Sequence, residues 1–441
     1  MNDTRRVGRS TTAAFAAIAV SAALAACGGT APEAAPTVGP VPDAELRIVW
    51  WGAEDRADAI NAALDVVTER EPGLTFVSEY SGFDGYFPKL TTQIAGGNAP
   101  DIAAVNFVPE RVDYAQRGAL LDLTPYVESG ALDLSGYDDA TIDYGRTGDG
   151  LYGLPTSIST QAVLVNTDVF DEYGLEVPAD DWTWDEFIAL SNGVTEATGG
   201  AVHGTEDVSA LHWVYETWYF GKTGDLIYED DSGARTDDVE DVTEWFEMWA
   251  DLRESGGTVP ADVQAAHTIG DYPTSPLVTG DAAMSFQFTS AASSFRPLSP
   301  SPLALVAQPS AGDNPHQYIR PSTMWAITAD TAHPDSAVAA VNVLVNDEDA
   351  LLAVGLSTGM PASARAREVL EPTLAPEDAE VIDFVSRISE LPTTAAPSIV
   401  PGGARDVEDL FIRIAQEVSF GQLTPAEGAQ AFFDEAEGLL G

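Results

Sequence analysis

Residues 46–60 read LRIVWWGAEDRADAI: an apolar, β-branched run that ends in Trp50 and Trp51, then Gly52, a cluster of charge, and the start of a helical pattern. Successive side chains of a strand point to opposite faces, so at most one of the two tryptophans shares a core with Ile48. Beyond Gly52, Ala57, Ile60, Leu64 and Val67 recur at helical spacing until Pro72-Gly73 interrupts them. A strand over 74–80, a helix carrying Tyr86, Leu90 and Ile94 with Asp84 as a candidate cap, and a third strand over 101–105 complete a βαβαβ unit. That alternation predicts α/β architecture with a doubly wound sheet. Ligands of such sheets gather at the carboxyl ends of the strands, which here are Trp50-Trp51-Gly52, Tyr80-Ser81-Gly82 and Asn106-Phe107.

A second pattern begins after GLYGLP (150–155), with an apolar strand over 161–166 and then DDWTWDEFIAL (180–190). Thr183 and Glu186 have capping-box spacing, so Trp182 and Trp184 read as packing at a helix entry. Aromatic-rich helices follow over 213–220 and 239–252, GDAAMSFQF (280–288) reads as a strand, and another strand over 323–329 precedes a helical C-terminus from Pro334 onward.

The 70 acidic residues against 20 Lys and Arg give a formal charge of −50, a sign that excludes nucleic acid as a partner. The only lysines are Lys89 and Lys222, so an anionic ligand would need an arginine presented locally. Five histidines at 203, 212, 267, 316 and 333 lack metal-ligand spacing, and no phosphate-cradling glycine loop or nucleophile elbow is present, so neither a metal nor a cofactor is expected.

The N-terminus reads as an export signal. Arg5, Arg6 and Arg9 precede an apolar stretch of about 13 residues, shorter than the roughly 20 needed to span a membrane. The tetrad Leu24-Ala25-Ala26-Cys27 resembles the lipobox of bacterial lipoproteins, which implies cleavage before Cys27, the chain's only cysteine, and lipid attachment to it. The expected organisation is a signal peptide over 1–26, a lipidated, Pro/Ala/Gly-rich tether over 27–45, one lobe from 46–157 plus 288–321, and a second from 158–287 plus 322–441. The 415 residues left by cleavage (441 − 26) exceed what one core holds.

VWWG (49–52), GFDGYFPKLTTQIAGGNAPDI (82–102), YAQRGALLDLTPYV (114–127), YGLPTSISTQAVLVNTDVF (152–170), TWDEF (183–187), GDAAM (280–284) and GMPAS (359–363) follow one another in order. Together they resemble the extracellular solute-binding lipoproteins of carbohydrate ABC importers, the maltose-binding-like group, over essentially the whole mature chain. The resemblance implies a two-lobed, periplasmic-binding-protein-like clamp that closes on a sugar, does no chemistry on it, and delivers it to a membrane permease. It implies three interlobe crossings, near Thr156–Ser159, Phe286–Ser290 and Ile319–Thr323, and a monomer held to the outer face of the cell membrane. Two departures argue against a maltodextrin: Gln287, Phe288, Thr289 and Ser290 stand where that group carries a stacking aromatic after Asn-Gly-Pro, and Ser159 replaces an acidic residue.

Sugar rings offer C–H faces that stack on aromatic side chains, and hydroxyls that take hydrogen bonds from Asp, Asn, Gln or Arg. The aromatic candidates are Trp51, with Trp50 as its alternate, Tyr80, Tyr86, Trp213 and Trp325; the polar ones are Arg56, Asp84, Asn106, Ser159 and Gln287, with Gly52 giving the turn beside them. Trp51, nearer the strand end, is the expected stacking platform. Arg56 can instead pair with Glu54 or Asp55, and Asp84 can serve only as a cap. Two other readings compete. A secreted glycoside hydrolase would need two carboxyls about 5–9 Å apart across a cleft. A glycerophosphate binder would need a basic pocket, for which Arg56, Arg296 and Arg320 are the cations at hand.

Overall fold

The computed structural model describes residues 39–440 apart from 53, 107–109, 229–233, 268–271, 313, 315–316, 392, 396–400 and 402, and gives backbone alone for 84, 293, 377 and 393–395. The signal segment, Cys27, most of the tether and Phe107 lie outside the described residues.

β1 (Ala44–Trp51) pairs in parallel with β2 (Leu74–Ser81) along its whole length and with β3 (Ile102–Val105) at Ile48 and Val49. The central strand of a parallel trio is covered on both faces, which is why its inner residues, both tryptophans included, are buried. The helix Glu54–Arg70 buries Ala57, Ile60, Ala63, Leu64 and Val67, the stripe expected from the sequence plus Ala63. The helix Phe83–Ala95 starts from Gly82 without a side-chain cap, so Asp84 lies inside it and is not the cap. Asp101 fixes the turn before β3, its Oδ2 accepting from Arg47 N at 2.8 Å.

A short hairpin of β4 (Arg146–Thr147) and β5 (Gly150–Leu151) leads into β6 (Leu154–Asn166), the strand on which the molecule turns. Its first half pairs with β9 (Gln317–Ile327), with a bulge around Ser157, and its second half pairs with β7 (Met284–Phe288) on one side and β8 (Leu303–Val306) on the other. The far half of β9 continues antiparallel to β3. β10 (Met360–Pro361) joins β6 at Ser157 and Ile158, and β11 (Thr393–Ala395) joins the near half of β9.

Three cores follow from this pairing. The first joins β1 to β3 and the end of β9 to the helix Pro334–Asn346. The second is aromatic and joins the far half of β6 to the helices Trp184–Ala197, His212–Thr223, Val239–Ser255, Ala404–Ser419 and Pro425–Ala436. The third packs the helices Thr289–Phe295 and Pro376–Glu390 on residues of β6 and β8.

The expected lobe boundaries are corrected in two places. Residues 288–306 stay with the second lobe, because β7 turns directly into the helix Thr289–Phe295, whose Ala291, Ala292 and Phe295 pack with Leu303 and Leu305 of β8. Residues 322–351 belong with the first, because Met324 to Ile327 pair with β3 and Ala337, Val338, Val341 and Leu344 fill its core. The chain therefore passes between lobes on β6 near Ser157, on β9 near Pro321 and after the helix Ala364–Leu370, which still packs on the first lobe's helices Pro334–Asn346 and Glu348–Val354 before the helix Pro376–Glu390 joins the other lobe. No passage occurs over 286–290.

Candidate functional site

The two passing strands, β9 and β6, lie side by side with β10 beyond β6, so whatever lines their flanks belongs to both lobes. From the second lobe, Trp213 opens the helix His212–Thr223 and meets Phe288, the last residue of β7, at 4.6 Å between ring centroids. Phe288 also packs against the first core, so it bridges the lobes. Over its ring, at 4.1 Å from the centroid, sits the guanidinium of Arg320, on β9 opposite Ser159. Cation and ring attract each other, and the contact sets where the guanidinium lies. Arg320 has no ion pair among the described residues, and its Nε is buried without a hydrogen-bond partner.

Two carboxyl groups, Glu216 and Glu408, lie within electrostatic reach of this arginine. Glu216 sits three residues after Trp213 on the same helical face, and burial, with Glu408 adding to it, pushes its carboxyl up to about 8. Glu408, on the helix Ala404–Ser419, is also raised, by burial first and then by Asp409 and by Glu110 of the first lobe, while Arg405 and Arg320 oppose the rise. Glu110 Oε2 is buried without a partner. The face thus offers two aromatic rings, one guanidinium without an ion pair among the described residues, and two carboxyls whose hold on the proton is raised. That set can stack a ring and both donate to and accept from hydroxyls.

A family model described as "Bacterial extracellular solute-binding protein" matches residues 53–351. The chain belongs to that family. A solute-binding protein of family 1 from Alicyclobacillus acidocaldarius has a TM-score of 0.72 at 26% identity, over 90% of this chain and 99% of that one. A periplasmic solute-binding protein from Pectobacterium atrosepticum has a TM-score of 0.81 at 23% identity, over 90% and 98%, which establishes the periplasmic-binding-protein-like fold. The arabinooligosaccharide-binding protein of Bacillus subtilis is 32% identical over 152 residues, 32% of this chain and 34% of that protein. The chain spans about a third to a half of the length of the curated relatives it matches.

Within this solute-binding protein the expected site residues divide. Trp50 is 1% exposed and stacks on Tyr80 with rings 11° apart, its Nε1 without a partner. Trp51, expected to stand exposed, is 9% exposed and packed among Phe83, Tyr86 and Phe87 at 5.4–5.7 Å. The reason is the aromatic start of the helix after β2, which covers the strand end. Tyr86 is buried, its hydroxyl donating toward Ala104 O at 2.8 Å and lying 3.2 Å from Val49 O, so it ties the helix to β1 and β3. Tyr80, 48% exposed on the edge strand, lines a shallow pocket with Glu79, Lys89 and Gln93.

Arg56 pairs with neither Glu54 nor Asp55; its Nε donates to Ser357 O at 2.8 Å and its Nη1 to Trp51 O at 3.1 Å. Gly52 makes that possible, since its φ is +145° and a Cβ there would lie 2.6 Å from Arg56 Cδ. Ser159 is buried; its Oγ accepts from Ser290 N at 3.1 Å and lies 3.1 Å from Thr289 Oγ1. Trp325 is buried and lines an internal apolar cavity with Ile60, Leu344 and Leu351. Gln287 is half-buried and donates from Nε2 to Ser285 Oγ at 3.0 Å. Asn106 keeps a buried Oδ1 without a partner, and the side chain of Asp84 lies outside the described residues.

Of the residues sought, the structure therefore gathers Trp213 into the Arg320 cluster. Sequence reasoning passed over Glu216, Phe288 and Glu408; the three-residue step from Trp213 to Glu216 was the available signal. Among the described residues no group of three His, Cys, Asp or Glu side chains could hold a metal, and no helix is long and apolar enough to cross a membrane.

Proposed function

We propose that this protein is the substrate-binding component of an ABC importer, capturing a neutral mono- or oligosaccharide between its lobes and handing it unaltered to a membrane permease. The observation that supports this most is the Trp213, Phe288 and Arg320 cluster, with Glu216 and Glu408 as the electrostatic neighbours of its guanidinium. A sugar hydroxyl both donates and accepts, so it matches a guanidinium beside carboxyls, whereas a phosphate ester would face Glu110 and Glu408. The arabinooligosaccharide-binding relative is consistent with this ligand class. In this reading the mature chain acts as a monomer tethered through lipid on Cys27, whose replacement by serine would release it from membranes.

A carboxyl held near neutrality beside a second carboxyl is also the equipment of a glycoside hydrolase. Thermal-shift screening against arabino-, xylo-, galacto- and gluco-oligosaccharides, with chromatography of the recovered sugar, separates the two. Binding with intact sugar recovered is expected. Cleavage products would establish the hydrolase, and no response to any sugar would remove the saccharide reading.

A further inference from the structure

Residues 355–359, Gly-Leu-Ser-Thr-Gly, lead from the helix Glu348–Val354 to β10. Gly355 and Gly359 have φ of +54° and +110°, so the chain turns at both ends of this loop. Its own hydrogen bonds are local: Gly355 N to Leu351 O, Ser357 N to Val354 O and Gly359 N to Leu356 O, at 2.9–3.2 Å. Beneath it, Gly355 and Thr358 line the internal apolar cavity, of about 40 Å³, so close packing does not fix the loop on that side.

Two side chains from elsewhere reach its carbonyls. Arg56 donates from Nε to Ser357 O at 2.8 Å and from Nη1 to Trp51 O at 3.1 Å, which ties the loop to the end of β1. Ser322 Oγ lies 3.5 Å from Thr358 O and 2.7 Å from Ser157 Oγ. A Cβ on Gly359 would lie 3.2 Å from Ser322 Oγ, so a glycine permits that approach.

Ser322 stands where the strand ladder is interrupted. Pro155 pairs with Met324, Ser157 with Thr323 and Ile158 with Pro321, so Thr156 on β6 and then Ser322 on β9 are each an extra residue. Bulges of this kind bend a strand, and these two fall where β6 and β9 pass between the lobes. Hydroxyls tie the interrupted stretch together: Thr156 Oγ1 donates to Thr323 O at 3.0 Å, and Ser157 and Ser322 join each other. A continuous series of contacts thus runs from Trp51 through Arg56, the loop and Ser322 to Ser157.

We propose that Arg56 is a positioning residue for sugar binding: it braces the 355–359 loop, and the loop, through Ser322, holds the bulged pivot of β6 and β9 in the conformation that assembles the site. This rests on the saccharide reading above. The brace and the site belong to one conformation, because Phe288, under Arg320, is packed against the first core in the same structure. Loss of the brace lowers the share of molecules in that conformation, and apparent affinity falls by the same factor. Arg56 Nη2 makes no hydrogen bond among the described residues, so a direct contact with the sugar is the rival explanation that the test must separate.

The first arm of the test uses no sugar: hydrogen exchange of the full chain, followed by mass spectrometry, in the parent, Arg56→Met and Ser322→Ala. Arg56→Met is expected to speed exchange by about fivefold or more over 355–359 and also over 319–325, and to leave 242–252 in the second core unchanged. Ser322→Ala is expected to speed the loop in the same way. Exchange that changes only around residues 51–60 in Arg56→Met overturns the brace.

The second arm is calorimetric titration with arabinotriose, xylotriose, galactotriose and maltotriose. For the sugar that binds, each variant is expected to lose about tenfold in affinity, and the double variant to lose no more than about twofold beyond the weaker single one, because both cut one series of contacts. Losses that multiply in the double variant, as separate contacts with the sugar would give, or unchanged affinity in either variant, overturn the brace and leave sugar binding intact. Failure of all four sugars in the parent overturns the saccharide reading and the role of Arg56 in it. Should Arg56→Met not fold, Arg56→Lys, with one nitrogen for two carbonyls, takes its place under the same criteria.

Discussion

Trp50 and Trp51 end β1 side by side, and which neighbour covers each is decided far along the chain. Trp50 is met by Tyr80 from the parallel strand, and Trp51 by Phe83, Tyr86 and Phe87 from the helix after it. The strand and its end were legible at residues 46–52, because β-branched residues and a positive-φ glycine are local signals. The covering of Trp51 was not, because it depends on a helix about thirty residues away presenting three aromatic rings. Trp51→Ala is therefore expected to cost about 3–5 kcal/mol of folding stability, the range for emptying a large aromatic site. Chemical denaturation checks this; an unchanged midpoint would mean that the ring is not part of the core. Arg56 changes from a candidate ligand contact to a strut, since two of its donors are taken by the carbonyls of Trp51 and Ser357.

Elements with self-contained signals were read correctly. The capping box at Thr183 and Glu186 is present in both directions, at 2.8 and 3.3 Å, and Trp182 Nε1 donates to Ala307 O beside it, as packing at a helix entry requires. The strand over 280–288 was also legible, but its continuation was not: Phe286–Ser290 was expected as a crossing between lobes, and from Thr289 the chain instead forms a helix anchored by Ser159. The helix His212–Thr223 carries a prediction of its own. His212 ordinarily titrates at 6.5 and is held near 3, so in that window the unfolded chain binds more protons and stability rises with pH. Glu216 ordinarily titrates at 4.5 and is held near 8, so there the folded chain binds more protons and stability falls as pH rises. Between about pH 6.5 and 8 the His212 contribution is complete and the Glu216 decline remains, on the order of 1–2 kcal/mol, with the raised Glu408 acting in the same direction. Thermal melting should show that decline in the parent and a flatter profile in Glu216→Gln; parallel profiles would contradict it.

At the scale of the molecule, one long strand joins the two lobes. β6 pairs with β9 and β10 through its first half and with β7 and β8 through its second, so a rotation between lobes bends strands at Ser157 and Pro321 rather than breaking a sheet. The α/β class was legible from the alternation of strand and helix, and three passages were expected. Their places depended on which strands pair, a long-range property that local patterning does not carry, and one of three was displaced. The same holds for the site: Trp213 was named from its residue type, while Phe288, Arg320, Glu216 and Glu408 come together only through the fold. The measurement that bears most directly on the central claim is a crystal structure grown with the saccharide that gives the largest thermal shift. The expected density is a sugar ring against Trp213 and Phe288 with a hydroxyl on Arg320 and another on Glu408. A sugar bound elsewhere, for example on the exposed face of Tyr80 with the Arg320 cluster empty, would contradict the account.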